Sequence, residues 1–202
     1  MSLTDREIIE RVINGDRRAY ARLVDRHKDK AMTLAMRMLK DREEAEEAVQ
    51  DAFLRAFNAL GRFEWKSSFG TWFYRIVYNV CSTALSRRGT DLTISLQGEE
   101  DDSTMDLRDS DPTPEMSLES EEMARIIRQE IDLLPASYSS VVTLFFLQEL
   151  SYAEIVEITG MPLGTVKARL FRARTILKKA ILRRTNEKAL LTSTRGIAAA
   201  FL

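Results

Sequence analysis

Residues 150–174 read LSYAEIVEITGMPLGTVKARLFRAR, a short apolar helix pattern, a turn, and a second helix pattern rich in basic residues. Ser151 and Glu154 have the spacing of a capping box, which predicts that the first helix begins here. Residues 159–162 (Thr-Gly-Met-Pro) predict a tight turn, and a final helix is expected over about 163–184. A short helix, a glycine-containing turn and a basic second helix are typical of a helix-turn-helix.

Every charged residue in the second helix pattern is basic. Residues 163–184 contain eight basic side chains and no acidic one. A solvated helix normally mixes both signs, because opposite charges four residues apart support each other. Val166, Leu170, Ala173 and Leu177 form a packing stripe, which leaves most of the basic side chains outward. The pattern therefore favours a helix that enters the major groove of DNA over a merely soluble basic face.

The first 88 residues predict a bundle of about four helices. Thr4 and Glu7 form a second capping-box pattern, and apolar residues recur at spacings of three and four up to Arg88. No window alternates with the period of two that strands require. Further helix patterns follow Pro114, and Pro135 separates two of them. The sequence therefore predicts an all-α protein.

Charge divides the chain into blocks. Residues 1–88 carry a net charge of +4, residues 89–115 of −8, and residues 116–202 of +3. The acidic block lacks aromatic residues and contains Pro112 and Pro114, so we expect a flexible linker between two small helical domains, 1–88 and 116–184. The linker is either a solvated spacer or an acidic mimic of nucleic acid that occupies a basic channel. Residues 185–202 form a tail for which a docking helix, a degradation tag and disorder all stay open.

Composition excludes several classes of site. One cysteine, Cys81, and one histidine, His27, are too few for a zinc site, and no nucleotide-binding or nucleophile motif is present. We expect no metal, no cofactor and no catalytic residue, with Cys81 packed and His27 at the surface or at its boundary. Apolar stretches far shorter than about 20 residues predict no membrane insertion. Without a secretory signal pattern, a cytoplasmic location is expected.

Two surfaces in the first domain have the composition of binding sites. Glu43, Glu44, Glu46, Glu47 and Asp51 form an acidic ridge, which is either a solvated face at a helix N-terminus or a docking surface for a basic protein. Six aromatic residues crowd a loop-helix junction beside basic side chains: Phe63, Trp65, Phe69, Trp72, Phe73 and Tyr74. We expect core packing to explain some of these rings, namely Phe69, Trp72 and Phe73, whereas stacking on unpaired bases would suit exposed rings.

These motifs resemble the extracytoplasmic-function (ECF) sigma factors of the sigma-70 family. Region 4 of that family resembles two motifs here, Gly164-Thr165-Val166-Lys167 and Arg169-x-x-Arg172-Ala173-Arg174. Residues 41–53 resemble the helix of region 2 that binds the polymerase clamp. Residues 63–79 resemble the promoter-melting segment and the helix after it. The two resemblances cover most of residues 10–184 in the family's order. Thr83, Val156 and Ala168 depart from common family residues, and Ala168 lacks a hydroxyl that could touch DNA.

The resemblance implies an alternative sigma factor that binds core RNA polymerase, selects promoters through −10 and −35 elements and opens the strands. It implies polymerase contacts by Glu43, Glu44, Glu47, Gln50, Asp51 and Phe53. It implies −10 recognition and melting by Arg62, Trp65, Lys66, Ser67, Arg75 and Asn79. It implies −35 contacts by Thr165, Lys167, Ala168, Arg169, Phe171 and Arg172. Implied partners are core polymerase, double-stranded −35 DNA, single-stranded −10 DNA and an anti-sigma factor.

Two other classes of function fit the sequence less well. A helix-turn-helix regulator that never binds polymerase would leave the acidic ridge and the aromatic loop without a role. An enzyme would need a catalytic site, and the sequence contains no motif for one.

Overall fold

The computed structural model describes residues 3–89 and 119–199, with side chains described over 3–89 and 125–184. Both described stretches are helical and contain no strand, which confirms the predicted all-α class. Eight α-helices follow in chain order: α1 (Asp5–Ile13), α2 (Tyr20–Leu39), α3 (Arg42–Ala59), α4 (Phe69–Arg87), α5 (Glu119–Leu133), α6 (Ala136–Val142), α7 (Tyr152–Thr159) and α8 (Leu163–Ala199). Single 3-10 turns lie at Arg17–Ala19 and Leu60–Arg62, and α6 continues into a π-helical turn at Thr143–Leu147.

Local sequence signals set most helix ends. Both predicted capping boxes form, with Thr4 accepting a hydrogen bond from the backbone N–H of Glu7 and Ser151 from that of Glu154. Gly160 ends α7 with a φ of +69°, a left-handed conformation that favours glycine. The expectation that α8 ends near residue 184 is wrong, because its backbone stays helical to Ala199. The predicted acidic linker lies outside the described residues apart from Gly89.

The first domain packs α2, α3 and α4 around one aromatic and aliphatic core, and α1 lies against α2. Phe73 and Val77 of α4 are fully buried, as are Leu23 and Leu34 of α2. Burying a side chain of this size contributes about 1.5–3 kcal/mol of transfer free energy. Cys81 is fully buried in the same core, and burial raises the pKa of its thiol to about 12. The predicted packing role of Cys81 is therefore confirmed.

His27 is 8% exposed and lies in the interior, not at the surface or boundary position that was expected. Its Nε2 lies 3.0 Å from a carboxylate oxygen of Asp5 in α1, and its Nδ1 lies 3.1 Å from the hydroxyl of Tyr74 in α4. Partial burial alone would raise the pKa of Asp5, but His27 and Arg26 outweigh it and hold that pKa below its ordinary value. Because both ring nitrogens have partners, the imidazole is buried without an unpaired polar atom and ties α1 to α2 and α4.

The second domain is built from α5 to α8. Ile155 and Ile158 of α7 face Val166, Leu170 and Ala173 of α8 within the core. The predicted packing stripe of α8 is confirmed at these three positions, with Leu177 partly buried against the same cluster. This packing fixes α7 and α8 as a helix-turn-helix. On α8 the side chains of Arg174, Lys178, Lys179 and Arg183 are exposed, whereas Arg184 pairs with the buried Glu130 of α5 at 2.7 Å.

The two domains pack against each other, with α7 on α4 and α6 on α2. One buried apolar cluster includes residues of both domains, and polar contacts lie beside it. Arg37 pairs with Asp132 at 2.7 Å, and Thr71 donates a hydrogen bond to Glu154 at 3.1 Å. Ser139 donates to the backbone carbonyl of Arg37 at 2.8 Å. We call this packed state the closed arrangement.

Several polar atoms of the second domain are buried without a hydrogen-bond partner among the described residues. They are Ser137 Oγ and Ser140 Oγ on α6, Thr143 Oγ1 on the π-helical turn, and Gln148 Oε1 directly after that turn. Burial of an unpaired polar group costs about 1–3 kcal/mol, so these atoms weaken the packing that hides them.

Candidate nucleic-acid interface

The acidic ridge lies along the N-terminal half of α3. Asp41 accepts a hydrogen bond from the backbone N–H of Glu44 at 3.0 Å and so begins the helix. Glu43, Glu46, Glu47 and Gln50 are exposed, whereas Glu44 and Asp51 are half-buried. The ridge is therefore a solvent-facing surface of net negative charge.

Basic side chains neutralise only part of the ridge. Within the described residues Arg42 pairs with Glu46 at 2.8 Å, Arg55 with Asp51 at 2.8 Å, and Arg88 with Glu44. These pairs join exposed or half-exposed side chains, and such pairs are worth about 0–1 kcal/mol each, so a partner's cations can exchange with them at little cost.

Phe53 differs from the other predicted polymerase contacts because its ring lies in the core. It is 8% exposed and stacks on Phe73 with ring centroids 4.3 Å apart. Its backbone carbonyl accepts a hydrogen bond from the Tyr20 hydroxyl at 2.8 Å. The ring offers no surface to a partner in this structure. Its role is to hold α3, and with it the acidic ridge, on α2 and α4.

A loop connects α3 to α4 and carries most of the predicted −10 residues. It runs from the 3-10 turn at Leu60–Arg62 to Ser68, whose hydroxyl accepts a hydrogen bond from the backbone N–H of Thr71 at 3.0 Å. Arg62, Trp65 and Lys66 are exposed, Ser67 is half-buried, and Lys66 pairs with Glu64. We call residues 62–67 the capture loop.

Burial divides the aromatic residues between core and surface, and it confirms the predicted core positions of Phe69 and Phe73. Phe63, Phe69, Phe73 and Tyr74 are buried, and Trp72 is partly buried against the same core. Trp65 is 41% exposed and has a φ of +59°, which is uncommon for a residue other than glycine. Among the aromatic residues of this junction, Trp65 is therefore the ring available for stacking.

Arg75 and Asn79 lie one turn apart on α4, and both are exposed. They share an outer face of the helix, since residues four apart lie above one another. The structure thus brings the six predicted −10 residues onto the capture loop and the helix that follows it.

The predicted −35 residues lie in the first three turns of α8. Phe171 is 45% exposed, and the other five, Thr165, Lys167, Ala168, Arg169 and Arg172, are half-buried. The ammonium of Lys167 lies 5.7 Å from the ring centroid of Tyr152. This contact joins the first residue of α7 to the second turn of α8.

The side chain of Arg169 lies against α6 in the closed arrangement. Its guanidinium lies 3.5 Å from the backbone carbonyl of Ser137, and it is close enough to act on Tyr78 of α4. Burial raises the pKa of the Tyr78 hydroxyl, and the positive charge of Arg169 offsets part of that rise. In this arrangement one predicted DNA contact is therefore directed at the protein.

Two other kinds of site are absent from the residues that the structure describes. No group of three His, Cys, Asp or Glu side chains there is arranged to hold a metal ion. No helix in the same residues is long and apolar enough to cross a bilayer.

Comparison with known proteins assigns a family to this architecture. The family model of sigma-70 region 2 matches residues 23–90, and that of sigma-70 region 4 matches residues 124–177. The ECF RNA polymerase sigma-E factor of Haemophilus influenzae is 36% identical over 89% of this chain and 96% of its own length. This chain belongs to the ECF sigma factors. The ECF sigma factor SigW of Bacillus subtilis is likewise 36% identical, over 90% of this chain and 98% of its own length.

Solved structures share the fold of this ECF sigma factor. CnrH in complex with the cytosolic domain of CnrY superimposes with a TM-score of 0.59 at 23% identity, covering 87% of this chain and 95% of that one. The sigma factor RpoE in complex with the anti-sigma factor NepR from Bartonella quintana gives 0.58 at 22% identity, covering 80% and 96%. The protein is a transcription initiation factor that binds core RNA polymerase and directs it to specific promoters.

The sequence interpretation missed the contacts made by α1 and those between the domains. Arg6 covers Trp65, and Asp5 binds His27, yet residues 3–22 precede the matched region 2 segment. No local pattern pointed to these contacts, because each joins residues that are far apart in the sequence.

Proposed function

We propose that the two domains of this sigma factor divide promoter recognition between them. Residues 1–88 would bind core polymerase and open the −10 element, residues 116–184 would read the −35 element, and residues 89–115 would span the distance between them. The observation that carries this proposal is the separation of three chemically distinct surfaces: an acidic ridge, an aromatic and basic loop, and a basic helix.

The acidic ridge suits a protein partner rather than DNA. Phosphates would be repelled by exposed carboxylates, whereas a basic surface of the polymerase would gain charge-assisted hydrogen bonds. We assign Glu43, Glu44, Glu47, Gln50 and Asp51 to this contact, with Phe53 as the residue that positions them.

The capture loop suits single-stranded DNA. An exposed indole offers a stacking plane for an unpaired base, and base–aromatic stacking is worth about 1–3 kcal/mol per base. Arg62 and Lys66 add positive charge for the backbone, and the Ser67 hydroxyl adds a hydrogen-bonding group. Arg75 and Asn79, on the outer face of α4, would steady the strand or the adjoining duplex.

The first turns of α8 suit the major groove. Recognition helices read base edges with their N-terminal residues and grip phosphates with later ones. We assign base or phosphate contacts at the −35 element to Thr165, Lys167, Ala168, Arg169, Phe171 and Arg172.

Replacement of Arg172 by Ala is expected to lower transcription from −35-dependent promoters about tenfold or more, because a base contact carries about 1–3 kcal/mol of discrimination. Run-off transcription with reconstituted holoenzyme measures the effect. The matched control is Arg183→Ala, which removes an exposed arginine from a later turn of α8. Equal activity of the Arg172 and Arg183 variants would place the recognition surface elsewhere.

The closed arrangement is not the form that reads a promoter. Centres of the −10 and −35 elements are about 25 base pairs apart, which is roughly 85 Å at about 3.4 Å per base pair. Contact of α7 with α4 holds the two domains far closer than this. The domains must therefore separate when both elements are bound.

A distance measurement tests this opening. Cysteines placed at Asp25 and Arg183, both exposed, carry a donor and an acceptor dye. The buried Cys81, with a pKa of about 12, stays unlabelled because thiolate is the reactive form. Energy transfer is expected to be high in the free protein and to fall when core polymerase and promoter are added. Unchanged transfer in the transcribing complex would contradict the opening.

We further propose a cytoplasmic protein without catalysis of its own, with the polymerase performing the chemistry. An anti-sigma factor is the expected regulator. RpoE is bound to an anti-sigma factor in its solved structure, which supports this partner class. In such a complex a regulator would act by holding the domains so that the ridge, loop and recognition helix are unavailable.

A further inference from the structure

Trp65 is held in an unusual position within the capture loop. Its φ of +59° places a bulky residue in the left-handed region, where sterics disfavour any side chain beyond glycine. Such conformations persist only where surrounding contacts fix them, and they concentrate at functional sites. Phe63, buried below, provides one contact, with ring centroids 4.8 Å apart and the planes tilted by 56°.

Helix α1 provides another contact. The Arg6 guanidinium lies over the Trp65 ring, 5.2 Å from its centroid, and its Nε donates a hydrogen bond to Glu10 at 3.1 Å. The preceding residue, Asp5, is bound by His27 and Arg26 of α2. Arg6 is therefore aimed at Trp65 from a helix that is anchored on the core of the domain.

We propose that Arg6 belongs to the strand-capture site and exchanges partners when DNA binds. In the free protein its guanidinium covers one face of the Trp65 indole. An unpaired base that stacks on this face displaces the guanidinium, which then pairs with a phosphate of the captured strand. This inference rests on the proposed role of Trp65, and it extends the site to α1, outside the matched residues 23–90.

The exchange is favourable at both steps. An exposed cation–π contact is weak, so a base can replace it by stacking on the same ring. The displaced guanidinium is a planar fork of donors that matches phosphate oxygens in a bidentate way. In the absence of DNA the same arginine shields an exposed indole and holds the loop in a competent conformation, which lowers the ordering cost of binding.

Four variants test the proposal in reconstituted holoenzyme on a linear promoter: Arg6→Ala, Arg6→Lys, Trp65→Ala and the double variant Arg6→Ala with Trp65→Ala. Permanganate reactivity of thymines in the melted region is the readout. We expect Arg6→Ala to lower open complexes about tenfold, equivalent to about 1.4 kcal/mol. Arg6→Lys should recover part of the loss, and the double variant should melt no worse than Trp65→Ala alone.

Arg11→Ala is the matched control, because Arg11 is an exposed arginine in the last turn of the same helix. Binding of a single-stranded −10 oligonucleotide by the holoenzyme gives a second readout. Arg6→Ala should reduce the slope of log affinity against log salt by about 0.7, the value for one phosphate contact on a single strand. Arg11→Ala should leave the slope unchanged.

Three results would overturn the inference. They are normal melting by Arg6→Ala, an equal loss in Arg11→Ala, and additive losses in the double variant. A melting defect in Trp65→Ala without one in Arg6→Ala would support the proposed capture loop and reject only the role of Arg6. Normal melting by both Arg6→Ala and Trp65→Ala would instead reject the capture loop itself.

Discussion

Reversal of Glu47 and Asp51 to Lys is expected to abolish co-purification of this sigma factor with core polymerase. The two residues lie one turn apart on α3, where Glu47 is exposed and Asp51 is half-buried beside Arg55. Like charges placed against each other across an interface cost several kcal/mol. Two reversals at one docking surface therefore lower affinity by about 1000-fold or more, which a pull-down registers as loss of binding.

The fold should survive these substitutions, because both side chains lie on the solvent face of α3. Unchanged far-ultraviolet circular dichroism checks this expectation. Asp25→Lys with Asp29→Lys is the matched control, since it makes the same charge change at two exposed residues four apart on α2. If the control binds polymerase and the α3 variant does not, the assignment of the acidic ridge to the polymerase contact is supported. Normal binding by the α3 variant would remove the ridge from the polymerase contact.

Local signals in the sequence were sufficient for the helices and for the family. Capping boxes at Thr4 and Ser151, and the glycine at position 160 that ends α7, act within four residues, so pattern and spacing specify them directly. The apolar stripe of α8 was predictable for the same reason. Its actual length was not, since nothing in the pattern marks where a helix without a terminal glycine or proline stops.

Tertiary contacts were not predictable from local patterns. His27 is flanked by charged residues and reads as a surface position, yet Asp5 and Tyr74, 22 and 47 residues away, complete its hydrogen bonds. Phe53 follows an acidic face and reads as part of it, yet its side chain turns to Phe73. In both cases burial depends on which helices become neighbours, and a single sequence does not specify that.

The same limit applies to the aromatic junction. The sequence predicted core positions for Phe69, Trp72 and Phe73 but did not divide the remaining rings between stacking and packing. Burial of Phe63, Phe69 and Phe73 assigns those rings to the core, and exposure of Trp65 leaves it to the surface. The candidate site therefore became specific only once the loop had a conformation.

Replacement of the exposed part of the capture loop is expected to block strand opening. The change converts Arg62, Glu64, Trp65, Lys66 and Ser67 to Gly or Ser and retains Phe63, because that ring is 8% exposed and supports the core. Opening costs a few kcal/mol for each base taken out of the stack, and the protein must recover this cost on the single strand. Without the indole and the cations, that recovery is lost. We expect thymines near the start site to lose permanganate reactivity, while protection of the closed duplex is retained.

A promoter with a pre-opened bubble separates loss of opening from general damage. On that template the strands are already unpaired, so the loop variant should recover most of its run-off transcription. On the fully paired linear template it should not. Polymerase binding should match that of the unaltered protein, since the acidic ridge on α3 is untouched. Unaltered melting of the paired template would show that Trp65 and its neighbours do not capture the strand. Failure on both templates would assign the loop to holding the domain in shape, because the defect would then no longer depend on whether the bases are paired.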